Sequence, residues 1–126
     1  MTPEEKLNFD ILCPATKQKR LIRFWYQDES DKKNKPQWRT VEPHLIGLRS
    51  NKDISKQTVQ LSGWVRLSAA DNIDDVMDGK QDGWKNYKLR GISKIQLLDK
   101  TYVHTRYGYN PTDTNMVEIY CRTQVA

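Results

Sequence analysis

Apolar and polar residues alternate with a period of two in several short segments of this chain, and this alternation constrains its fold most. The first such segment begins at Arg20, where Ile22, Phe24 and Tyr26 fall on one face of a predicted strand. Further strands are predicted over residues 38–49, 59–66, 84–89, 92–98 and about 115–124. Short strands joined by turns indicate a small antiparallel β-barrel or a strongly bent sheet.

Two residues modify this strand pattern. Pro43 cannot donate to a ladder, so the second strand is expected to be bent, bulged or at a sheet edge near His44. Gly63, in the third strand, leaves room for the close approach of another backbone or of a ligand.

A short helix is predicted at the start of the chain. Thr2 is a suitable N-cap, Pro3 fits the first helical position, and Glu5 completes a capping box with Thr2. Pro14 removes a backbone donor and disfavours helix at Cys13. We therefore expect the helix either to end there or to restart with Pro14 as its first residue.

The length of 126 residues fits one domain, and no internal repeat divides the chain. Residues 68–83 form an acidic insertion with weak strand propensity, which we expect to be a solvent-exposed loop with at most one helical turn. Residues 102–113 are rich in aromatic and turn-forming residues and are expected to be irregular.

The chain is basic, because 21 Lys and Arg residues outnumber 16 Asp and Glu residues. A formal charge of +5 favours polyanionic partners. Cys13 and Cys121 are the only cysteines, and the N-terminus lacks the apolar run of a secretory signal. We therefore expect free thiols and a cytoplasmic location. No stretch is long and apolar enough to predict a membrane span.

The sequence lacks the spacings that catalytic and metal sites require. His44, His104 and the two cysteines show none of the paired spacings of a zinc site. The aspartates of residues 68–83 lack the spacing of a calcium loop. There is no phosphate-binding glycine loop and no nucleophile elbow. We expect no cofactor, no metal and no enzymatic activity.

Basic and aromatic residues lie together on or near the predicted strands. They are Arg20, Arg23, Trp25, Tyr26, Arg39, His44, Trp64, Arg66, Trp84, Lys88 and Arg90. Such interleaving suits a nucleic acid whose phosphates are held by cations and whose bases stack on rings. The alternative is that the tryptophans are core residues with one exposed edge, which we expect for Trp38 and Trp84.

The order of several segments resembles the WYL domain family. That family has a strand ending in Tyr, an Arg-x-Val-x-Pro strand, a Trp-Tyr-Leu strand and a Phe-Arg-Leu-Asp-Arg-Ile strand. The corresponding segments here are Leu21–Tyr26, Arg39–Leu45, Leu61–Trp64, Tyr87–Ile92 and Ile95–Leu98. The resemblance covers residues 11–105 approximately, and of the Trp-Tyr-Leu triplet only Leu61 is kept.

The resemblance implies an SH3-like or Sm-like β-barrel that binds a nucleic acid or nucleotide through a basic pocket. In the family this binding usually controls an attached DNA-binding domain. No helix-turn-helix fits before Ile11, so we expect a stand-alone WYL-like domain that acts as an accessory or sensor for a separate regulatory protein. Self-association is left open.

Carried over to this sequence, the family pattern predicts a ligand site. Tyr26 is expected to contact the ligand by stacking or through its hydroxyl, and Arg39 to be the main anion clamp. Lys88 replaces an Arg as a point charge for phosphate. His44 is expected to line the same pocket, and Arg90 belongs to the same predicted site.

Two alternatives are left open. Arg39 is expected to bind ligand, and the alternative is a structural salt bridge to Glu42 or to an acid of residues 68–83. The whole chain is expected to bind single-stranded nucleic acid or a nucleotide, and the alternative is a protein-interaction or oligomerisation domain whose basic face meets an acidic partner.

Overall fold

The computed structural model describes residues 1–30, 35–66 and 83–125, and within these ranges it is mainly β, as predicted. One α-helix precedes six strands that pair antiparallel. Their bounds are α1 Pro3–Lys17, β1 Arg20–Tyr26, β2 Gln37–Arg49, β3 Thr58–Arg66, β4 Gly83–Lys88, β5 Ile92–Thr101 and β6 Met116–Arg122. Two short 3-10 helices, Ile54–Lys56 and Leu89–Gly91, lie in connections.

Helix α1 begins as predicted but continues past the proline. The hydroxyl of Thr2 accepts a hydrogen bond from the Glu5 amide, and the Glu5 carboxylate accepts one from the Thr2 amide. Pro14 lies inside the helix, so the expected break at Cys13 is wrong. An internal proline costs about 3 kcal/mol, and burial of Leu12 and its neighbours against the sheet offsets this cost.

The expectation of free thiols is also wrong, because a disulfide joins Cys13 of α1 to Cys121 of β6. The two residues are 108 positions apart in sequence. They meet because α1 packs across β2 and β6. Sequence spacing carried no information about this packing, since long-range proximity depends on how the elements assemble.

Strand β2 is the centre of the sheet, whose order is β4-β3-β2-β1-β5. One edge of β2 pairs with β3. The opposite edge pairs with β1 over residues 37–41 and with β6 over residues 45–49. The register of β2 against β3 shifts between Pro43 and Leu45, which confirms the irregularity predicted near His44.

The sheet is open but strongly curled. The two outermost strands, β4 and β5, are joined only by the 3-10 helix Leu89–Gly91. In a flat sheet the first and fifth strands would lie about 19 Å apart. The chain from Lys88 to Ile92 has only four residue steps and spans at most about 14 Å even when fully extended. The sheet therefore bends until its edges approach. Strand pairing among the described residues does not close it into the expected barrel.

The core lies between α1 and the concave side of the sheet. Its largest fully buried side chains include Leu12, Ile22, Phe24, Leu61 and Leu89. The alternation predicted for β3 is confirmed along its length. In β1, Ile22 and Phe24 are buried as predicted, but Tyr26 is half-buried and Leu21, on the opposite face, is buried too.

In the last strand the sequence alternation places Val117, Ile119 and Cys121 on the predicted apolar face, and this is only partly right. Cys121 is buried, but Val117 is 55% exposed and Met116 is buried in its place. Strand β6 shifts register against β2 between the pairs Gly47 with Ile119 and Ile46 with Cys121. This irregularity changes which side chains face inward, and a strict period of two misses it.

Most of the predicted acidic insertion, residues 68–82, lies outside the described residues, and its last residue, Gly83, begins β4. Residues 102–113 form no helix or strand, as predicted. Within the described ranges, no helix combines the length and the apolar character needed to cross a membrane.

Candidate functional site

A cleft of about 270 Å³ opens where the ends of β1 and β4 meet the start of β2. Tyr26, Arg39 and Lys88, which the sequence predicted to share one pocket, all line it. We call it the first cleft. It forms because the curl of the sheet brings β4 towards β1, although two strands, β3 and β2, separate them in the pairing order. That these residues bind a ligand stays a prediction.

Tyr26 forms one wall of the first cleft and also holds it together. Its hydroxyl accepts a hydrogen bond from the backbone amide of Lys88 at 3.1 Å. Its ring packs edge-on against Tyr87, with centroids 4.8 Å apart, and against Phe24. The side chain is half-buried, so only part of the ring is accessible to a ligand.

Lys88 carries its charge into the cleft beside a carboxylate. Its ammonium nitrogen lies 3.2 Å from an oxygen of Asp28 and donates to the Ser30 hydroxyl at 2.8 Å. Burial alone would raise the pKa of Asp28, but hydrogen bonds from Ser30 and the Lys88 ammonium outweigh it and hold the pKa below its usual value. Asp28 therefore stays ionised and partly neutralises Lys88.

Arg39 lies on β2 opposite Phe24 of β1 and is half-buried. Two further cations, Lys35 and Lys85, line the same cleft. Among the described lining residues, four cations thus face one carboxylate, that of Asp28. The amide side chains of the lining are Gln37, Gln60 and Asn86. A small cationic cleft with neutral hydrogen-bonding groups is suited to a phosphate-bearing ligand.

His44, which we expected in this cleft, lies elsewhere and is fully buried. Its Nδ1 is 2.9 Å from the Glu42 carbonyl oxygen, and its Nε2 accepts from the Arg106 amide at 3.2 Å. Because a carbonyl only accepts and an amide only donates, these partners fix a neutral ring with the proton on Nδ1. The ring stacks on Tyr102 and meets Trp84 edge-on.

The surroundings of His44 disfavour its charged form. Burial lowers the pKa of His44 below its ordinary value, against the opposing effect of the Glu42 carbonyl and carboxylate. The neutral imidazole therefore has a structural role, linking β2 to the loop before β6.

Arg90 lies outside the first cleft, in the 3-10 helix that follows β4. It is exposed and lines a neighbouring cleft that also contains Lys88. The predicted site is therefore divided, with Tyr26, Arg39 and Lys88 in the first cleft and Arg90 next to it.

Glu42 has arginine partners that the sequence did not indicate. Its carboxylate is 1% exposed and accepts two hydrogen bonds from Arg106, each 2.8 Å long. Arg66 lies 3.6 Å away. The guanidinium of Arg106 also covers the ring of Trp64 at 5.0 Å. Arg106 comes from the irregular segment, which no strand pattern linked to β2.

Lys35 and Lys85 were also missed. Lys35 belongs to the connection between β1 and β2, and Lys85 to the edge strand β4. The one available signal was their position within the basic excess of the chain, which did not distinguish them from other lysines.

Within the described ranges, no group of three or more His, Cys, Asp or Glu side chains is arranged to hold a metal ion. Comparison with family models, with curated proteins and with solved structures found no match for this chain. The resemblance to the WYL domain therefore rests on the sequence segments alone.

Proposed function

We propose that this protein is a WYL-like binding module that recognises a phosphate-bearing ligand, a nucleotide or single-stranded nucleic acid, in the first cleft. The observation that carries the proposal is the convergence of Arg39 and Lys88 with Lys35 and Lys85 on one small cleft. Tyr26 supplies an aromatic wall beside these cations. Charge-assisted hydrogen bonds to phosphate and contact of a base with an aromatic ring are the usual elements of such recognition.

The barrel class belongs to the same proposal. A 3-10 helix links β4 to β5, and the Tyr26 hydroxyl ties the end of β1 to the end of β4. These contacts support an SH3-like or Sm-like barrel in which the first cleft is the mouth. The role that fits this arrangement is binding without catalysis, and the ligand would regulate a separate partner protein.

The size of the first cleft limits the size of the ligand that it can enclose. At about 270 Å³ it lies at the lower limit of pockets that enclose whole small molecules. It therefore suits one phosphorylated unit, either a free nucleotide or one residue of a longer strand. A polymer would extend beyond it.

Binding of labelled single-stranded oligonucleotides, followed by fluorescence anisotropy at several salt concentrations, tests the proposal. About three phosphate contacts give a slope of roughly −2 in log K against log salt. Arg39→Ala and Lys88→Ala should each weaken binding and flatten the slope by about 0.7, because each removes one contact. Lys100→Ala is the matched control, since Lys100 is exposed on β5 and lines neither this cleft nor that of Arg90.

Circular dichroism should show that each variant is folded. If the parent binds neither oligonucleotides nor nucleotides, the proposal fails. It also fails if Arg39→Ala and Lys88→Ala bind as tightly as Lys100→Ala.

A second candidate function is a protein interface, and one observation favours it. Trp25 and Trp38 pair across β1 and β2 with ring centroids 5.5 Å apart, and both are half-buried. Arg23 covers Trp38 at 4.2 Å and Lys94 lies 5.6 Å from Trp25. Tryptophan and arginine are enriched at protein interfaces. This function would be supported instead if the protein did not bind oligonucleotides but did bind an acidic partner protein.

A further inference from the structure

A second cleft lies directly beside the first. Its volume is about 420 Å³, and it shares Gln60 and Lys88 with the first cleft. Its cations come from three different parts of the fold: Arg49 ends β2, Lys56 belongs to the 3-10 helix before β3, and Arg90 follows β4. Because Lys88 and Gln60 line both clefts, the two are adjacent, and we call them together the groove.

The second cleft is more uniformly cationic than the first. Arg49, Lys56, Lys88 and Arg90 line it, and no carboxylate occurs among its described lining residues. Lys88 is shared by both clefts and lies 3.2 Å from Asp28, whereas Arg49, Lys56 and Arg90 belong to the second cleft alone. Like charges around one depression repel each other, and an anionic ligand reduces that repulsion.

Neutral side chains of the second cleft add hydrogen-bonding capacity. The hydroxyl of Thr58 accepts a hydrogen bond from the Gln60 amide nitrogen at 2.9 Å. That arrangement uses a lone pair of the hydroxyl and leaves its proton available to donate. Gln60 itself lies at the boundary of the clefts and is held in place by this bond.

We infer that the second cleft is a separate phosphate site, and that the two clefts together bind a single-stranded oligonucleotide in preference to a mononucleotide. This inference rests on the proposed function of the first cleft. Among the residues that the structure describes, seven cations line the groove, namely Lys35, Arg39, Lys85 and Lys88 in the first cleft and Arg49, Lys56 and Arg90 in the second. One nucleotide fills the first cleft, and its neighbours along the strand place their phosphates on the second.

Ligands of different length test this inference separately from the proposed function. A thymidine mononucleotide occupies the first cleft only, whereas an oligothymidine of about ten nucleotides falls within the usual site size of a small β-barrel module. We expect the longer strand to bind more tightly and with a steeper salt dependence, because it makes more phosphate contacts.

The decisive variant is Arg49→Ala/Lys56→Ala/Arg90→Ala. Loss of three contacts should weaken binding of the longer strand roughly a hundredfold at about 0.1 M salt and flatten its salt slope by about 2. Affinity for the mononucleotide should change by less than about twofold, because the first cleft is intact. The matched control is Lys6→Ala/Lys17→Ala/Lys100→Ala, which removes the same charge from α1 and β5, away from both clefts.

Each outcome decides between the two proposals. If the mononucleotide binds but the triple variant binds the longer strand as tightly as the parent, the second site is refuted while the first stands. Equal weakening by the control variant would refute it too, since the effect would then follow net charge alone. If neither ligand binds the parent, the proposed function fails, and the second site fails with it.

Discussion

The hydroxyl of Tyr26, at the end of β1, accepts a hydrogen bond of 3.1 Å from the backbone amide of Lys88, at the end of β4. The two strands do not pair in the sheet. This bond joins two residues that both line the first cleft. A single side chain therefore contributes both to the curvature of the sheet and to the geometry of the proposed site.

Tyr26→Phe removes this hydrogen bond and keeps the ring. We expect the free energy of unfolding to fall by about 0.5–1.5 kcal/mol, the usual contribution of one such bond. Affinity for oligonucleotides should change little, since the aromatic wall remains. Denaturant unfolding measures the stability, with Tyr107→Phe as control because Tyr107 is almost completely exposed. Equal stability of the two variants would contradict the structural role of the hydroxyl.

Asp28→Asn should strengthen binding of phosphate-bearing ligands. The substitution removes the one described carboxylate of the first cleft and releases Lys88, while the amide oxygen retains an acceptor for Ser30. We expect a gain of about two- to fivefold, the equivalent of roughly 0.5–1 kcal/mol. Anisotropy titrations measure it. Glu29→Gln makes the same charge change on an exposed neighbour outside the cleft, and a similar gain there would show that only net charge matters.

Reduction of the disulfide should destabilise the protein. Cys13 and Cys121 close a loop of 108 residues, and the loss of such a cross-link costs about 2–5 kcal/mol through the greater entropy of the unfolded chain. Thermal unfolding with and without reductant measures the change. The Cys13→Ser/Cys121→Ser variant should match the reduced parent and not respond to reductant. An unchanged melting temperature of the parent would argue against the cross-link.

Gly63→Ala should destabilise the sheet. A Cβ at this position would lie 2.8 Å from the carbonyl oxygen of Glu42 and would collide with the side chain of Val41. Relief of such overlap shifts the backbones of β2 and β3 apart and costs about 1–3 kcal/mol. Gly83→Ala is the control, because nothing lies within 4 Å of a Cβ there. Denaturant unfolding compares the two, and similar stabilities would contradict the close packing of β2 on β3.

His44 should make stability depend on pH. Because burial lowers the pKa of His44 in the folded protein, the unfolded chain takes up a proton first as the pH falls below about 6.5. The free energy of unfolding should then decrease by up to about 1.4 kcal/mol per pH unit until the folded ring is also protonated. Above about pH 7 this contribution is constant.

Denaturant unfolding between pH 7 and about pH 5 measures this dependence. His44→Gln should show a smaller decrease than the parent, whereas His104→Gln should behave like it, since His104 is exposed. If His44→Gln does not fold, the ring resonances of the parent give the same pKa directly. A titration of His44 at or above its ordinary value would refute the prediction.

The sequence pattern correctly predicted the structural features that depend on residues close together in the chain. The alternation in β3 identified its buried face, because successive residues of a strand point to opposite sides. The missing donor of Pro43 located the irregularity of β2. The capping box of Thr2 and Glu5 located the start of α1. Each of these depends on residues that are neighbours in sequence.

Other features depended on which elements pack together. Pro14 was expected to end α1, but the helix continues because its buried face packs on the sheet. His44 was expected at a ligand site because of its sequence neighbours, yet the loop bearing Arg106 and Tyr102 covers it. The disulfide between Cys13 and Cys121 has the same origin in packing.

The sequence by itself determined the class of elements, their order and most of their inward faces, because backbone sterics and burial act over a few residues. The sequence also grouped Tyr26, Arg39 and Lys88 in one predicted ligand site. Only the tertiary structure decided that Asp28, Lys35 and Lys85 join the first cleft and that Arg90 belongs to the second. Charges interact according to their distance in space, and the curl of the sheet sets those distances.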